Sequence, residues 1–312
     1  MNKNNAMKII DIIEVTEDRK KIFFISKEEG FLTINISNEI AEVYSDSFNV
    51  TTGCTYWVSW VYGWYDIKIS FKINGRLEEL SLSGTNKDLS SFNIFKKIYL
   101  TERTPLCGMM DRNGSDKASS PKDSSLPGHN YSRLYYDLFF EKSKEKIEIF
   151  ELGLGTNNPD LPSSMGSIGH PCASLRSWEE FFPNGKIFGA DVDVNILVDS
   201  SRSKTFYCDQ LSPKIINQMW GHKDLLQDFD IIIEDGLHEF KANVTFLENS
   251  IHKIKSGGYF IIEDISIDEI FNWTEYFENN RLQYSNYEYN FISLECEHNI
   301  YDNNLILIRK KQ

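Results

Sequence analysis

The chain has 312 residues with 33 Lys+Arg against 46 Asp+Glu, a formal charge of −13 at pH 7. That balance, without any basic run, argues against a nucleic-acid partner, which needs clustered cations to displace counterions from phosphates. Hydrophobic residues at 41% and charged residues at 25% exclude global disorder, and the length suits about two domains.

No stretch reaches the roughly 20 apolar residues that cross a bilayer, and Met1 to Asn5 is polar rather than signal-like, so a cytoplasmic protein without a membrane span is expected. The cysteines Cys54, Cys107, Cys172, Cys208 and Cys296 are odd in number and form no CxxC pair. They read as reduced bystanders, not as a disulfide framework or zinc site.

Residues 1–97 are written in strand language, with period-2 alternation over 21–26 and 31–36, and are expected to form a β-rich accessory domain. Its clearest unit is a hairpin: residues 65–73 alternate, Asn74-Gly75 supplies a type I′ turn, and 77–82 returns. The aromatic cluster Tyr56, Trp57, Trp60, Tyr62, Trp64 and Tyr65 fits a core or a subunit interface better than a sugar-stacking platform, and leaves a homo-oligomer open. Residues 98–130 read as a linker or lid, because 113–128 is rich in Ser, Asp, Lys, Gly and Pro.

From 131 to 312 helices and strands alternate. Apolar strands are expected at 147–152, 186–190, 205–208, 229–233 and 259–262, and helices at 174–182, 213–220 and 240–254, with Ser174 placed as an N-cap. Continuous apolar strands joined by helices imply a parallel sheet covered on both faces, hence a doubly wound α/β domain. Two further strand-like runs between 284 and 309 fit an antiparallel closing hairpin.

Three groups of residues at strand ends carry chemistry. Glu151-Leu152-Gly153-Leu154-Gly155 lets backbone approach a ligand at the switch point of the sheet, but it lacks the third glycine and the nearby acid of a nicotinamide fingerprint. An acid before the glycines is more like an adenosylmethionine turn. Asp191 could accept two ribose hydroxyls, and Asp209-Gln210 would stand toward the adenine. Glu234-Asp235-Gly236-Leu237-His238 and Glu263-Asp264 end strands expected about 4.8 Å apart, so their acids can converge on a hard cation such as magnesium. His238 is placed to remove a proton beside it.

With these motifs stand Gly114-Ser115-Asp116-Lys117, His129-Asn130-Tyr131 and Ser174-Leu175-Arg176-Ser177-Trp178, and in this order the set resembles the metal-dependent sugar O-methyltransferases of the mycinamicin and macrocin type. The resemblance spans about 107–265 and implies a Rossmann-like class I methyltransferase sheet. It implies an S-adenosyl-L-methionine pocket lined by Glu151, Gly153, Gly155, Ser174, Asp191, Asp209, Gln210 and Glu234. It further implies Mg2+ on Asp235, Glu263 and Asp264, His238 as general base, and Lys117, His129 and Tyr131 in a segment closing over donor or acceptor. The acceptor would be a sugar, a glycosylated small molecule or a glycan. A non-sugar diol acceptor, or a non-catalytic sugar-binding module using the first-domain aromatics, are the competing readings.

Overall fold

The computed structural model describes residues 7–16, 19–37, 42–61, 67–82, 94–100, 102–118, 128–294, 299 and 302–312. The chain divides into two units, Met1–Ser91 and Phe92–Gln312.

The first unit holds two antiparallel sheets. One is ordered β1 (Met7–Thr16), β2 (Arg19–Ser26), β5 (Thr55–Val61), and the other β4 (Glu42–Val50), β3 (Gly30–Ser37), β6 (Ile67–Ile73), β7 (Arg76–Leu82). The alternation has its expected cause: Leu32, Ile34 and Ile36 lie opposite Ile73, Phe71 and Ile69, and all six are buried. Asn74 (φ 48°) and Gly75 (φ 80°) both adopt the left-handed conformation that a type I′ turn requires. Of the aromatic cluster, half-buried Tyr56 packs on Phe24 and Phe48. The side chains of Trp57 and Trp60, and residues Tyr62, Trp64 and Tyr65, lie outside what is described.

In the second unit the elements are β8 (Phe95–Ile98), α1 (Pro105–Asn113), α2 (Tyr131–Phe139), β9 (Glu148–Leu152), α3 (Ala173–Phe181), β10 (Lys186–Asp191) and β11 (Ser203–Tyr207). They continue with α4 (Pro213–Trp220), β12 (Phe229–Glu234), α5 (Phe240–Ser250), β13 (Ile254–Ile262), α6 (Ile270–Asn279), β14 (Tyr287–Leu294) and β15 (Asn304–Lys310). The sheet order is β11-β10-β9-β12-β13-β15-β14-β8. β9 to β13 are parallel, while β15 runs antiparallel to both β13 and β14. This is the doubly wound Rossmann-like sheet with an antiparallel closing strand. The chain steps outward from β9 through β10 to β11 and then crosses back to β12, so the carboxyl ends of β9 and β12 flank the switch point where such sheets bind ligands.

Four elements differ from expectation. Phe95–Ile98, placed with the β-rich segment, pairs with β14 and belongs to the second sheet. Within the stretch expected as a linker, Thr104 accepts from the Cys107 N–H, Pro105 opens the helix and Gly114 (φ 82°) closes it, while Leu106, Cys107 and Met110 are buried. The helix expected over 240–254 stops at Ser250, because Gly257 (φ 75°) and a register shift let Ile254 join β13 below Tyr259. Helix α6 was not expected at all, although Ile270, Trp273 and Phe277 make a buried i, i+3, i+7 stripe.

The two faces of β9 feed different cores. Phe150 packs against Trp220, Phe229 and Phe246, whereas Glu151 lies on the opposite face with Trp178. Phe150→Ala should cost about 3–5 kcal/mol in denaturant unfolding, since Phe150 is fully buried. Burial pushes the Glu269 carboxyl, before α6, up to about 7. A carboxyl raised in the folded state costs stability as pH rises from the unfolded carboxylate range through its folded value. Glu269→Gln should therefore stabilise the fold by about 2–3 kcal/mol at pH 8 and by little at pH 4.5, measured as urea midpoints. Equal shifts at both pH values would refute the ionisation argument.

Candidate active site

The turn after β9 is built around Gly153 (φ 85°) and Gly155 (φ 74°). A Cβ on Gly153 would stand 1.8 Å from the Asp235 carbonyl oxygen, so the β9 and β12 loops touch through bare backbone. Gly153→Ala should lose about 2–4 kcal/mol of stability from positive-φ strain and this clash together; a wild-type melting temperature would show that the loops can part freely. A Cβ on Gly155 would meet Met165, which the segment 157–172 folds back over the turn.

Asp191, at the end of β10, braces this turn. Its carboxylate accepts from the Leu154 N–H at 2.7 Å and the Asp193 N–H at 2.8 Å. Asp193 in turn accepts the Thr156 hydroxyl at 2.6 Å. Glu151 is fully buried beneath the turn, where it accepts the Trp178 indole N–H at 2.8 Å with Ser174 beside it. It is therefore an internal acid and not, in this structure, part of an open pocket lining. Ser174 is not the N-cap of α3; that position falls to Cys172, itself in a left-handed conformation.

Gln210 and Glu234 knit the next two loops together. The Gln210 amide donates to Glu234 at 2.6 Å and accepts from the Leu237 N–H at 2.9 Å, and Glu234 also accepts from the Gly236 N–H at 3.1 Å. Burial pushes the Glu234 carboxyl up to about 7. Asp209 stands apart from this pair and accepts from the Leu211 N–H at 3.0 Å, at the entrance to α4.

The centre lies at the ends of β12 and β13. Ligand atoms of Asp235, His238 and Asp264 fall within 4.8 Å of one another. His238 Nδ1 is 2.9 Å from one Asp264 oxygen, and the Tyr131 hydroxyl donates to the other at 2.9 Å, with His129 Nδ1 at 3.3 Å. His238 (φ 58°) and Asp264 (φ 54°) are both left-handed, a conformation costing about 1–2 kcal/mol per residue. The strain falls on the two residues that must face each other. Burial alone would lower the His238 pKa, but the hydrogen bond to Asp264 and the charges of Asp264, Asp235 and Glu234 lift it to about 10. Burial raises Asp264 too, yet His129 and the bonded His238 outweigh it and hold this carboxyl well below the usual range.

Glu263 and Lys117 stand in places that the linear reading did not give them. Glu263, expected as a metal ligand with Asp235 and Asp264, is outside the trio: the Tyr135 hydroxyl takes one of its oxygens and the Lys117 ammonium the other, and only 1% of it is exposed. Lys117, expected in a closing segment, is buried and also donates to Asp235 at 2.5 Å. His129 and Tyr131, from the same expected segment, lie behind Asp264 as its supports and are buried as well. Tyr135 was assigned no role from the sequence. Its position four residues after Tyr131 places both phenols on one helix face, toward Glu263 and Asp264, and that spacing was the available signal. Asp193 and Trp178 carried no comparable signal. The carboxylate oxygens of Asp235 and Asp264 are compatible with a hard divalent cation completed by water or substrate oxygens, with the His238 imidazole beside them.

No family model matches the chain. Among curated proteins it is 27% identical over 160 residues to the 8-demethyl-8-alpha-L-rhamnosyl tetracenomycin-C 2'-O-methyltransferase of Streptomyces olivaceus, covering 51% of this chain and 37% of that protein. It is 29% identical over 164 residues to the mycinamicin VI 2''-O-methyltransferase of Micromonospora griseorubida, covering 52% and 36%. The chain thus spans little more than a third of the length of these relatives. Among solved structures it resembles a MycE methyltransferase from mycinamycin biosynthesis in complex with Mg and SAH, with a TM-score of 0.49 and 21% identity, over 68% of this chain and 56% of that one. The resemblance read from the motifs therefore holds: over about half its length this chain is similar to sugar O-methyltransferases of the tetracenomycin, macrocin and mycinamicin type.

Proposed function

We propose that the second unit is an S-adenosylmethionine-dependent, magnesium-assisted O-methyltransferase acting on a hydroxyl of a sugar, a glycosylated small molecule or a glycan. The observation that carries this reading is the convergence of Asp235, His238 and Asp264 beside the glycine turn. The names of the curated relatives support it, since both are O-methyltransferases and one is named for a rhamnosyl compound. The Gly153–Gly155 turn, Asp191, Asp209 and the Gln210–Glu234 pair would hold the donor, and Asp235 with Asp264 the cation. Free cysteines, of which Cys107, Cys172 and Cys208 are buried, accord with the cytosol as its compartment.

When bound, a divalent cation supplies charge that lowers the pKa of a coordinated hydroxyl, and the sulfonium donor supplies an electrophilic methyl group. The chain supplies proton transfer and orientation. His238 Nδ1 is engaged by Asp264, so Nε2 is the atom left to take the hydroxyl proton, and Asp264 stabilises the imidazolium that results. Tyr131 and His129 fix Asp264 from behind, which fixes the plane of the imidazole. The imidazole must first be deprotonated, and the carboxylate field now holds its proton in place; a cation among Asp235 and Asp264 would offset that field.

Calorimetric titration with S-adenosylhomocysteine, with and without magnesium, tests the donor half without knowledge of the acceptor. Micromolar affinity is expected, followed by magnesium-dependent methyl transfer within a panel of free and conjugated sugars. No binding in either condition would sink the proposal, and transfer to catechols alone would move the acceptor to the diol class.

A further inference from the structure

The mechanism above makes no use of Lys117. This residue is the middle of the short turn Asp116–Ala118 after α1, is 3% exposed, and places its ammonium against Asp235 at 2.5 Å, against Glu263, and 3.5 Å from Glu151. Its three partners come from the ends of β12, β13 and β9, so one amine spans the central strands on which the proposed chemistry sits. A lysine enters an interior only with such compensation.

The balance of charge is uneven. Glu151, Asp235, Glu263 and Asp264 are four buried or half-buried carboxylates within one connected cluster, faced by one ammonium and the imidazoles of His238 and His129. Asp235 belongs both to the lysine's seat and to the trio with His238 and Asp264. A divalent ion seated at that trio would share Asp235 with the ammonium at close range. Two like charges on one carboxylate repel, and the flexible four-carbon stem of lysine is the part that can give way. The Tyr135 hydroxyl on the other Glu263 oxygen would keep that side chain anchored as the ammonium leaves.

We propose that Lys117 is the resident counter-cation of the metal-free centre and that divalent-cation binding displaces its ammonium from Glu263, freeing that carboxylate for the ion. This rests on the cation-assisted reading above. Lys117 is then a positioning residue that keeps four acids together before the ion arrives and sets the affinity with which it is taken up.

The test uses the full chain stripped with chelator, without donor or acceptor, and Mn2+ as a paramagnetic probe that takes the same oxygen donors. Free Mn2+ is followed by electron paramagnetic resonance for wild type and Lys117→Met. Both should bind, the variant about tenfold or more tightly, because the ion no longer competes with an internal amine. A folded variant that binds no more tightly than wild type overturns the proposal. Absence of binding to both proteins overturns the cation reading itself, and this inference with it.

Should Lys117→Met not fold without metal, amine labelling of the wild type with acetic anhydride decides instead. The Lys117 peptide, quantified against exposed Lys144, should label severalfold faster at saturating Mg2+ than in chelator. Equal labelling would show that the ammonium never leaves its carboxylates.

Discussion

Asp235→Asn is expected to reduce methyl transfer by about 10³-fold or more, equivalent to about 4 kcal/mol of transition-state stabilisation, while changing S-adenosylhomocysteine affinity less than about threefold. The substitution keeps volume and leaves intact both the Asp235 N–H bond to Leu152 and the carbonyl against which Gly153 packs. It removes charge from the one carboxylate shared between the cation trio and Lys117. With Asp235 neutral, Asp264 is the sole carboxylate left in the trio, and it is already committed to His238, Tyr131 and His129. The proposed donor side at Gly153, Asp191 and Gln210 does not touch the substituted carboxylate. Initial rates at saturating magnesium beside calorimetry separate the two effects. A variant that retains wild-type turnover, or a wild type that turns over unchanged in excess chelator, would remove the cation from the mechanism.

The strand ends were legible because an apolar stretch stops at Gly or an acid: Ile149–Leu152 before Gly153, Ile231–Ile233 before Glu234-Asp235, Tyr259–Ile262 before Glu263. Their parallel pairing followed from the helices between them. What a linear reading could not resolve was the direction in which each acid points. Glu263 and Asp264 are neighbours just beyond β13, where Asp264 turns left-handed (φ 54°), and one meets Lys117 and Tyr135 while the other meets His238 and Tyr131. A run of polar and small residues likewise hid α1, whose apolar stripe is only Leu106, Cys107 and Met110. The polarity of Gly114 to Lys117 suggested exposure, but the burial of Lys117 depends on three acids separated from it by up to 146 positions. Pairings of that range are tertiary facts, invisible to local periodicity.

His238→Gln should lower kcat by about 10²–10⁴-fold, the range of a lost general base, with donor and Mn2+ affinities changed far less. Glutamine fills the same space and can still donate to Asp264, so the fold keeps its bond at the end of β13. Its amide cannot take a proton, and the ascending limb of the pH–rate profile should therefore vanish in the variant. In the wild type that limb carries a further signature. Without a cation, the neighbouring Asp264, Asp235 and Glu234 hold the imidazole proton to about pH 10. Positive charge placed beside those acids opposes protonation and lowers this value, so more of the free base exists at neutral pH. The limb should accordingly move to more alkaline pH as magnesium is reduced below saturation, and to more acidic pH as it is raised. Rates measured between pH 6 and 10 at two magnesium concentrations check the sign. A limb that persists in His238→Gln, or one that shifts in the opposite direction with magnesium, would assign the proton transfer to another group.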